Sequence, residues 1–319
     1  MDTNNETQRF DVVTVTLNPA IDNTVTIPRF TPGAVNRVAK TRTTPGGKGV
    51  NVASALADYG CRIAATGFLG SENSGLFDSL FVRKQIANRF VRIAGPTRTG
   101  IKITDPILKQ TTDINFPGLP PTRDDCCVLD EHLAGLCADW FVLAGSIPPG
   151  ISEAIYRDLV ATLKTHGCKV AVDASGEALR HAIDATPDFI KPNRHELEML
   201  VGNRLESTAQ VIRTARTLVE KGITLVVVSL GNEGACFVTG TDALIARPPD
   251  IDVNSTVGAG DAMVAGIVAA RLQQLPLADC ARLSTGFAIH ALTHSEPGTA
   301  SRDSINSAME TVKIEIPVC

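Results

Sequence analysis

Trp140-Phe141-Val142-Leu143-Ala144 and Lys169-Val170-Ala171-Val172-Asp173 are two short, almost wholly apolar runs, and the residues between them, 152–165, carry a helical pattern. The same alternation continues downstream, with a strand pattern at 188–190, a helix from Asn193, a helix at 208–221 and a strand at 225–229. Strand, helix, strand in regular succession is the rhythm of a parallel α/β sheet. Two long helical patterns, about 258–273 and 277–293, and a short one after Ser301 close the chain.

Upstream the pattern changes. Short β-rich runs at 12–17, 24–27, 35–41, 100–104 and 111–116 are separated by Gly and Pro breaks and form two groups. Between the groups lies a helix at 49–59, an apolar strand at 63–68 and a second helix near 75–84. Two strand groups inserted around a regular unit predict a small sheet beside the main one.

The chain has 319 residues, which suits one large α/β domain with a smaller appendage better than several modules. An apolar fraction of 44% and a charged fraction of 20% belong to a folded globular protein. Thirty Lys and Arg against thirty-four Asp and Glu give 30 − 34 = −4, so no global positive field exists to gather nucleic acid or an anionic bilayer. Any anionic ligand must be held by a local cluster. Residues 1–10 lack the basic start and apolar run of a secretory signal, and the strongest apolar runs fall short of the ~20 residues of a membrane span. The eight cysteines and six histidines are scattered, without zinc spacing, and are expected as free thiols and ordinary side chains of a cytoplasmic protein.

The strongest motif is Asn254-Ser255-Thr256-Val257-Gly258-Ala259-Gly260-Asp261, which runs straight into the apolar stretch 262–270. Three small residues let successive backbone N–H groups converge on an anion, and a helix start adds its partial positive charge. In isolation, Asp261 is equally well explained as a first-turn residue of a helix. A phosphate nest joined to a carboxylate is nevertheless the apparatus of phosphoryl transfer: donors for the charge of the moving group and an acceptor for the attacking hydroxyl's proton. Two other nucleotide motifs are excluded. Lys48 is followed by Gly49 rather than Ser or Thr, so there is no Walker A loop, and G-x-G-x-x-G starting at Gly258 fails at Met263. A Rossmann dehydrogenase loses its main support.

A second cluster is Pro45-Gly46-Gly47-Lys48-Gly49-Val50-Asn51-Val52-Ala53, a glycine-rich turn running into a helix. It can let a ligand approach the backbone, with Lys48 and Asn51 as donors, or be no more than a tight strand-to-helix turn. Asp22, in Asn18-Pro19-Ala20-Ile21-Asp22, can orient sugar hydroxyls or form an Asx turn.

Residues 46–53 and 256–261 resemble the two signatures of the ribokinase-like carbohydrate kinases, specifically the PfkB branch, and the resemblance runs from residue 13 to about 310. Asn18–Asp22 in its N-P-x-x-D form, Val35-Asn36-Arg37, residues 86–90, Thr97-Arg98-Thr99-Gly100-Ile101-Lys102, Ser229-Leu230-Gly231 and residues 255–261 together look like those of members that act on fructose 1-phosphate. What the resemblance implies is a single domain, 1–319, built as a three-layer α/β/α sandwich with a β-sheet lid formed by about 18–45 and 95–118. It implies ATP and Mg²⁺ as cofactors and a sugar phosphate as acceptor. Asp261 would be the base, with the amides of Gly258, Ala259 and Gly260 as the anion hole. Asp22, Gly47, Lys48, Asn51 and Ser146 would surround the sugar, and Arg98 and Lys102 would grip its phosphate. The ATP side would draw on Lys191, Asn193, Glu196, Ser229, Gly231, Gly234 and Thr256, with part of the adenine pocket near 283–298. Asn193 and Glu196 would organise Mg²⁺ through water, while the same pair also reads as a helix capping box. Relatives pair their lids, which implies a homodimer. Fructose 6-phosphate or tagatose 6-phosphate are alternative acceptors. A silent sugar-phosphate sensor is the alternative outside enzymes, and the retained Asp261 argues against it.

Overall fold

The computed structural model of the chain describes residues 9–253, 257–294 and 301–317. β1 (Arg9–Thr16), β2 (Ala20–Thr26) and β3 (Lys40–Gly46) lead into α1 (Lys48–Asp58), β4 (Ile63–Gly70), α2 (Gly75–Arg83), β5 (Ala87–Asn88) and β6 (Val91–Ile93). Next come β7 (Thr99–Asp105), β8 (Gln110–Asn115), α3 (Arg123–Ala134), β9 (Cys137–Ala144), α4 (Ile155–Thr165), β10 (Lys169–Asp173), α5 (Gly176–Asp184) and β11 (Phe189–Ile190). The remainder is α6 (Arg194–Val201), α7 (Thr208–Glu220), β12 (Leu225–Ser229), β13 (Ala235–Val238), β14 (Ala243–Arg247), α8 (Ala259–Leu272), α9 (Leu277–Thr293), α10 (Arg302–Glu310) and β15 (Lys313–Glu315).

The large sheet has the order β15-β14-β13-β12-β11-β10-β9-β1-β4-β5, with β6 also on β4. It is parallel from β5 through to β12 and antiparallel across β13, β14 and β15. Its strands read as continuous apolar runs because both faces are covered. Trp140, Val142 and Ala144 of β9 pack in one core with residues of α1, α8 and α9, whereas Phe141 and Leu143 pack in the other with α4, α5 and α7. This is a three-layer α/β/α sandwich with a mainly parallel sheet. α8 is buried along almost its whole length, and a Cβ at Gly266 would lie 2.5 Å from the Cα of Ser284, which shows how closely α9 crosses it.

The second sheet is four-stranded, in the order β3-β2-β7-β8. β2 pairs antiparallel with β3 and parallel with β7, placing Asp22 opposite Thr44 and Gly100. The strand expected at 35–41 lies elsewhere: only its last two residues belong to β3, which continues to Gly46. The reason is pairing, since residues 40–46 lie opposite 20–26 of β2. Val35 and Val38 are 86% and 52% exposed, while Thr41, Thr43 and Thr44 supply the β-branched residues that pair with β2. Likewise the helix expected from 152 starts at Ile155, after a turn in which Ser152 Oγ accepts from the amide of Ala154. The seven described cysteines are free, and no helix among the described residues is long and apolar enough to cross a membrane.

Candidate active site

The loops that follow the parallel strands of the large sheet meet at one edge, where ligand sites of open α/β sheets form. α1 begins there, after Gly47, whose φ of 114° and close neighbours Thr16 and Pro19 admit only glycine. α8 begins there too, after Gly258 in the left-handed conformation with φ 79°. The two helix starts face one another: Asn51 Nδ2, in the first turn of α1, donates to Asp261 Oδ2, in the first turn of α8, at 2.7 Å. Asp261 is 8% exposed. Burial, and then the charge of Asp173, push its carboxyl up to about 6, against the opposing pull of Lys48, the Asn51 hydrogen bond and Lys191.

Asp173, the last residue of β10, is the residue that the sequence reading missed. It is 1% exposed, its Oδ1 accepts from Lys48 Nζ at 3.1 Å, and Lys191 Nζ stands 3.6 Å from the same oxygen. A signal was present: a carboxylate ending an otherwise apolar strand at the ligand edge of the sheet. Burial pulls the Lys48 ammonium's pKa down, but the charges of Asp173, Asp261 and Glu196 outweigh it and hold it above the ordinary value. Lys191 reaches the turn before Asp261, because a Cβ on Gly260 would sit 3.3 Å from its Nζ. Two ammonium groups and two carboxylates therefore share this corner.

The small sheet supplies the other wall. Asp22 and Lys102 form a 2.8 Å ion pair with side chains only 15% and 17% exposed. Glycine on both neighbouring strands makes room for this carboxylate: a Cβ at Gly46 would fall 2.4 Å from Asp22 Oδ2, and one at Gly100 would fall 2.8 Å from Oδ1. Arg98, just before β7, donates to the carbonyls of Asn18 and Phe116 at 3.1 Å each, and its buried Nε has no partner. Asn18 in turn donates to Ser146 Oγ at 3.1 Å, in the loop after β9. The two cations expected to await a phosphate thus already have acceptors on their own chain, which fixes their positions.

On the remaining side, Asn193 and Glu196 form a reciprocal capping box at the start of α6, each bond 2.8 Å. Asn193 bridges Ser229 at the end of β12, so these two expected nucleotide residues lie side by side. Gly231 has φ 65° and open space above it, whereas a Cβ on Gly234 would meet Ala246 O at 1.9 Å. The β13–β14 hairpin alone demands glycine at 234. Thr256 and residues 295–298 lie outside the described residues, while 283–293 form the latter part of α9. A cavity of about 680 Å³ opens at the opposite edge of the sheet, among Arg9, Trp140, Lys169 and Arg271, and no candidate residue lines it.

Residues 12–304 match the model of the pfkB family of carbohydrate kinases. A 1-phosphofructokinase of Rhodobacter capsulatus is 44% identical over 307 residues, covering 95% of this chain and 97% of its own. A 1-phosphofructokinase of Escherichia coli K12 is 38% identical over 306 residues, covering 95% and 98%. The crystal structure of phosphofructokinase-2 from Escherichia coli in complex with substrates and products is similar with a TM-score of 0.86 at 28% identity, covering 94% of this chain and 98% of that one.

Proposed function

The chain belongs to the pfkB family of carbohydrate kinases, and from that membership we propose that it transfers the γ-phosphoryl group of ATP to the free hydroxyl of fructose 1-phosphate, giving fructose 1,6-bisphosphate. The observation that carries the reading is the buried Asp261 carboxylate, bonded to Asn51 at the start of α8 with Lys48 and Lys191 nearby. A carboxyl at about 6 is ionised at neutral pH and accepts a proton more readily than an ordinary aspartate. Asp261 takes the sugar hydroxyl's proton as the oxygen attacks. The amides of Gly258, Ala259 and Gly260 and the two ammonium groups offset the charge of the moving phosphoryl group.

The sugar phosphate lies between the small sheet and the edge of the large one. Gly47, Lys48, Asn51 and Ser146 line one side and Asp22 the other, with Arg98 and Lys102 toward the phosphate already present. The small sheet acts as a lid that excludes water and so limits hydrolysis of ATP. The nucleotide lies across Lys191, Asn193, Ser229 and Gly231.

Mg²⁺ fits the same end. Glu196 engages the Asn193 amide through Oε2, leaving Oε1 for a metal-bound water. Such an ion would be held by few protein groups and by the substrate phosphates. When bound, the ion neutralises charge on the phosphates.

Two chains pair through their lids in this reading, in the cytoplasm: β8 is an edge strand, and Ile114 on it and Phe116 just after it are 44% and 47% exposed. Light scattering on the eluting protein should then give twice 33.7 kDa, and a monomer mass would remove the pairing.

The catalytic test is ADP release measured with fructose 1-phosphate, fructose 6-phosphate, tagatose 6-phosphate and ribose. Fructose 1-phosphate should give the highest kcat/KM. Preference for another sugar phosphate would move the substrate, and release with none would favour a sensor.

A further inference from the structure

Strand register brings three charged residues to one point. β9 pairs β10 with Ala144 opposite Asp173, and β10 pairs β11 with Val172 opposite Ile190, so Asp173 and Lys191 leave neighbouring strands together. The Gly145 amide donates to the carbonyl of Asp173 at 3.0 Å, and the space over Gly145 is taken by the Lys48 side chain, whose Cβ would be 3.8 Å from a Cβ added there. The Asp173 carboxylate is buried at 1% exposure, and only one of its oxygens is used. A buried carboxylate with an orphaned oxygen is costly, and retaining one needs a reason other than packing.

We propose that Asp173 is a positioning residue for phosphoryl transfer: its Oδ1 holds the ammonium groups of Lys48 and Lys191 side by side, next to Asp261 and the first turn of α8. The physical need is plain. Two ammonium groups brought this close repel one another, and each sits on a flexible four-carbon stem. A shared acceptor between them removes both difficulties before substrate arrives, which is when positioning contributes to rate. It also joins the sugar side, where Lys48 lies on α1, to the nucleotide side, where Lys191 precedes Asn193.

This inference rests on the kinase reading, and its test separates the two. D173N keeps the shape and removes the charge; D173S replaces it if D173N does not fold. Steady-state kinetics are measured for ATP and fructose 1-phosphate with wild type, D173N, K191M and the double variant. Losing one preorganised electrostatic contact costs about 10²-fold in kcat, the loss expected of D173N. Neither KM should rise, because the corner gains one net positive charge and both substrates are anions. In the K191M background the loss should shrink, because one of the two groups that Asp173 holds is gone. A kcat loss under about fivefold, a rise in either KM without loss of kcat, or an equal loss in the K191M background overturns the role. A lowered Tm with normal kcat overturns it as well, by leaving Asp173 a structural residue. A wild-type chain inactive on every sugar phosphate would instead overturn the kinase reading.

Discussion

Asp261 is where activity and stability pull in opposite directions. D261N keeps the size and the Asn51 neighbour but cannot take a proton, so kcat should fall by roughly 10²–10⁴-fold with ATP binding retained. Near-normal turnover would remove Asp261 as the base. Its carboxyl stands at about 6 against an ordinary 3.8, through burial first and Asp173 second. Because the base must be ionised, kcat/KM of the wild type, which reports the free enzyme, should rise with pH through about 6 and level off above it. Stability has the reverse sign. Between 3.8 and about 6 the folded chain holds this proton more tightly than the unfolded chain, so the group's contribution is complete below 3.8 and is lost as pH rises through about 6. Melting temperatures from pH 4 to 7 should therefore show a loss in wild type that D261N lacks. A wild-type kcat/KM independent of pH across this range would refute the assignment.

Among the helices, α1 sits tightly against β1. A Cβ on Gly49 would fall 2.3 Å from Thr16 Oγ1 and 3.1 Å from the carbonyl of Val15, both in β1. Ala is a better helix former than Gly by about 1 kcal/mol, but crowding a packed site costs about 1–3 kcal/mol. Crowding should win, so G49A lowers Tm. At Gly75, which opens α2, a Cβ meets nothing within 4 Å, and G75A should leave Tm unchanged or raise it. A G49A chain as stable as G75A would show that α1 can shift on β1.

The same contrast explains what was legible from residues alone. β9, β10 and β12 are readable because strands buried on both faces become unbroken apolar runs. β3 was misplaced because Val35 and Val38 look like strand residues, and only the tertiary structure shows that they face water. In the site, the glycine turns at 46–49 and 258–260 announced two helix starts. That Asn51 and Asp261 bond across 210 positions, or that two lysines share Asp173, follows from strand order, which no local pattern encodes.

For the whole molecule, the issue is how the small sheet is held against the large one in a chain whose net charge is −4. Arg98 is one tie: it precedes β7, and its guanidinium reaches back to Asn18 after β1 and across to Phe116 after β8. Those two carbonyls orient the guanidinium plane, and a fixed plane is what bidentate recognition of a phosphate requires. R98A should therefore raise KM for fructose 1-phosphate far more than KM for ATP. At roughly 1.5–3 kcal/mol per charge-assisted bond, the rise is at least about tenfold. R98K should recover only part of it, since a point charge on a flexible stem cannot reproduce the planar fork. Kinetics for both substrates at fixed ionic strength, with Tm recorded for each variant, separate the outcomes. A shift in the sugar-phosphate KM with Tm preserved places Arg98 on the spectator phosphate. Equal shifts in both KM values, or a shift for ATP alone, move it to the nucleotide side. A lowered Tm with both KM values unchanged leaves it a strut between the sheets and no part of substrate recognition.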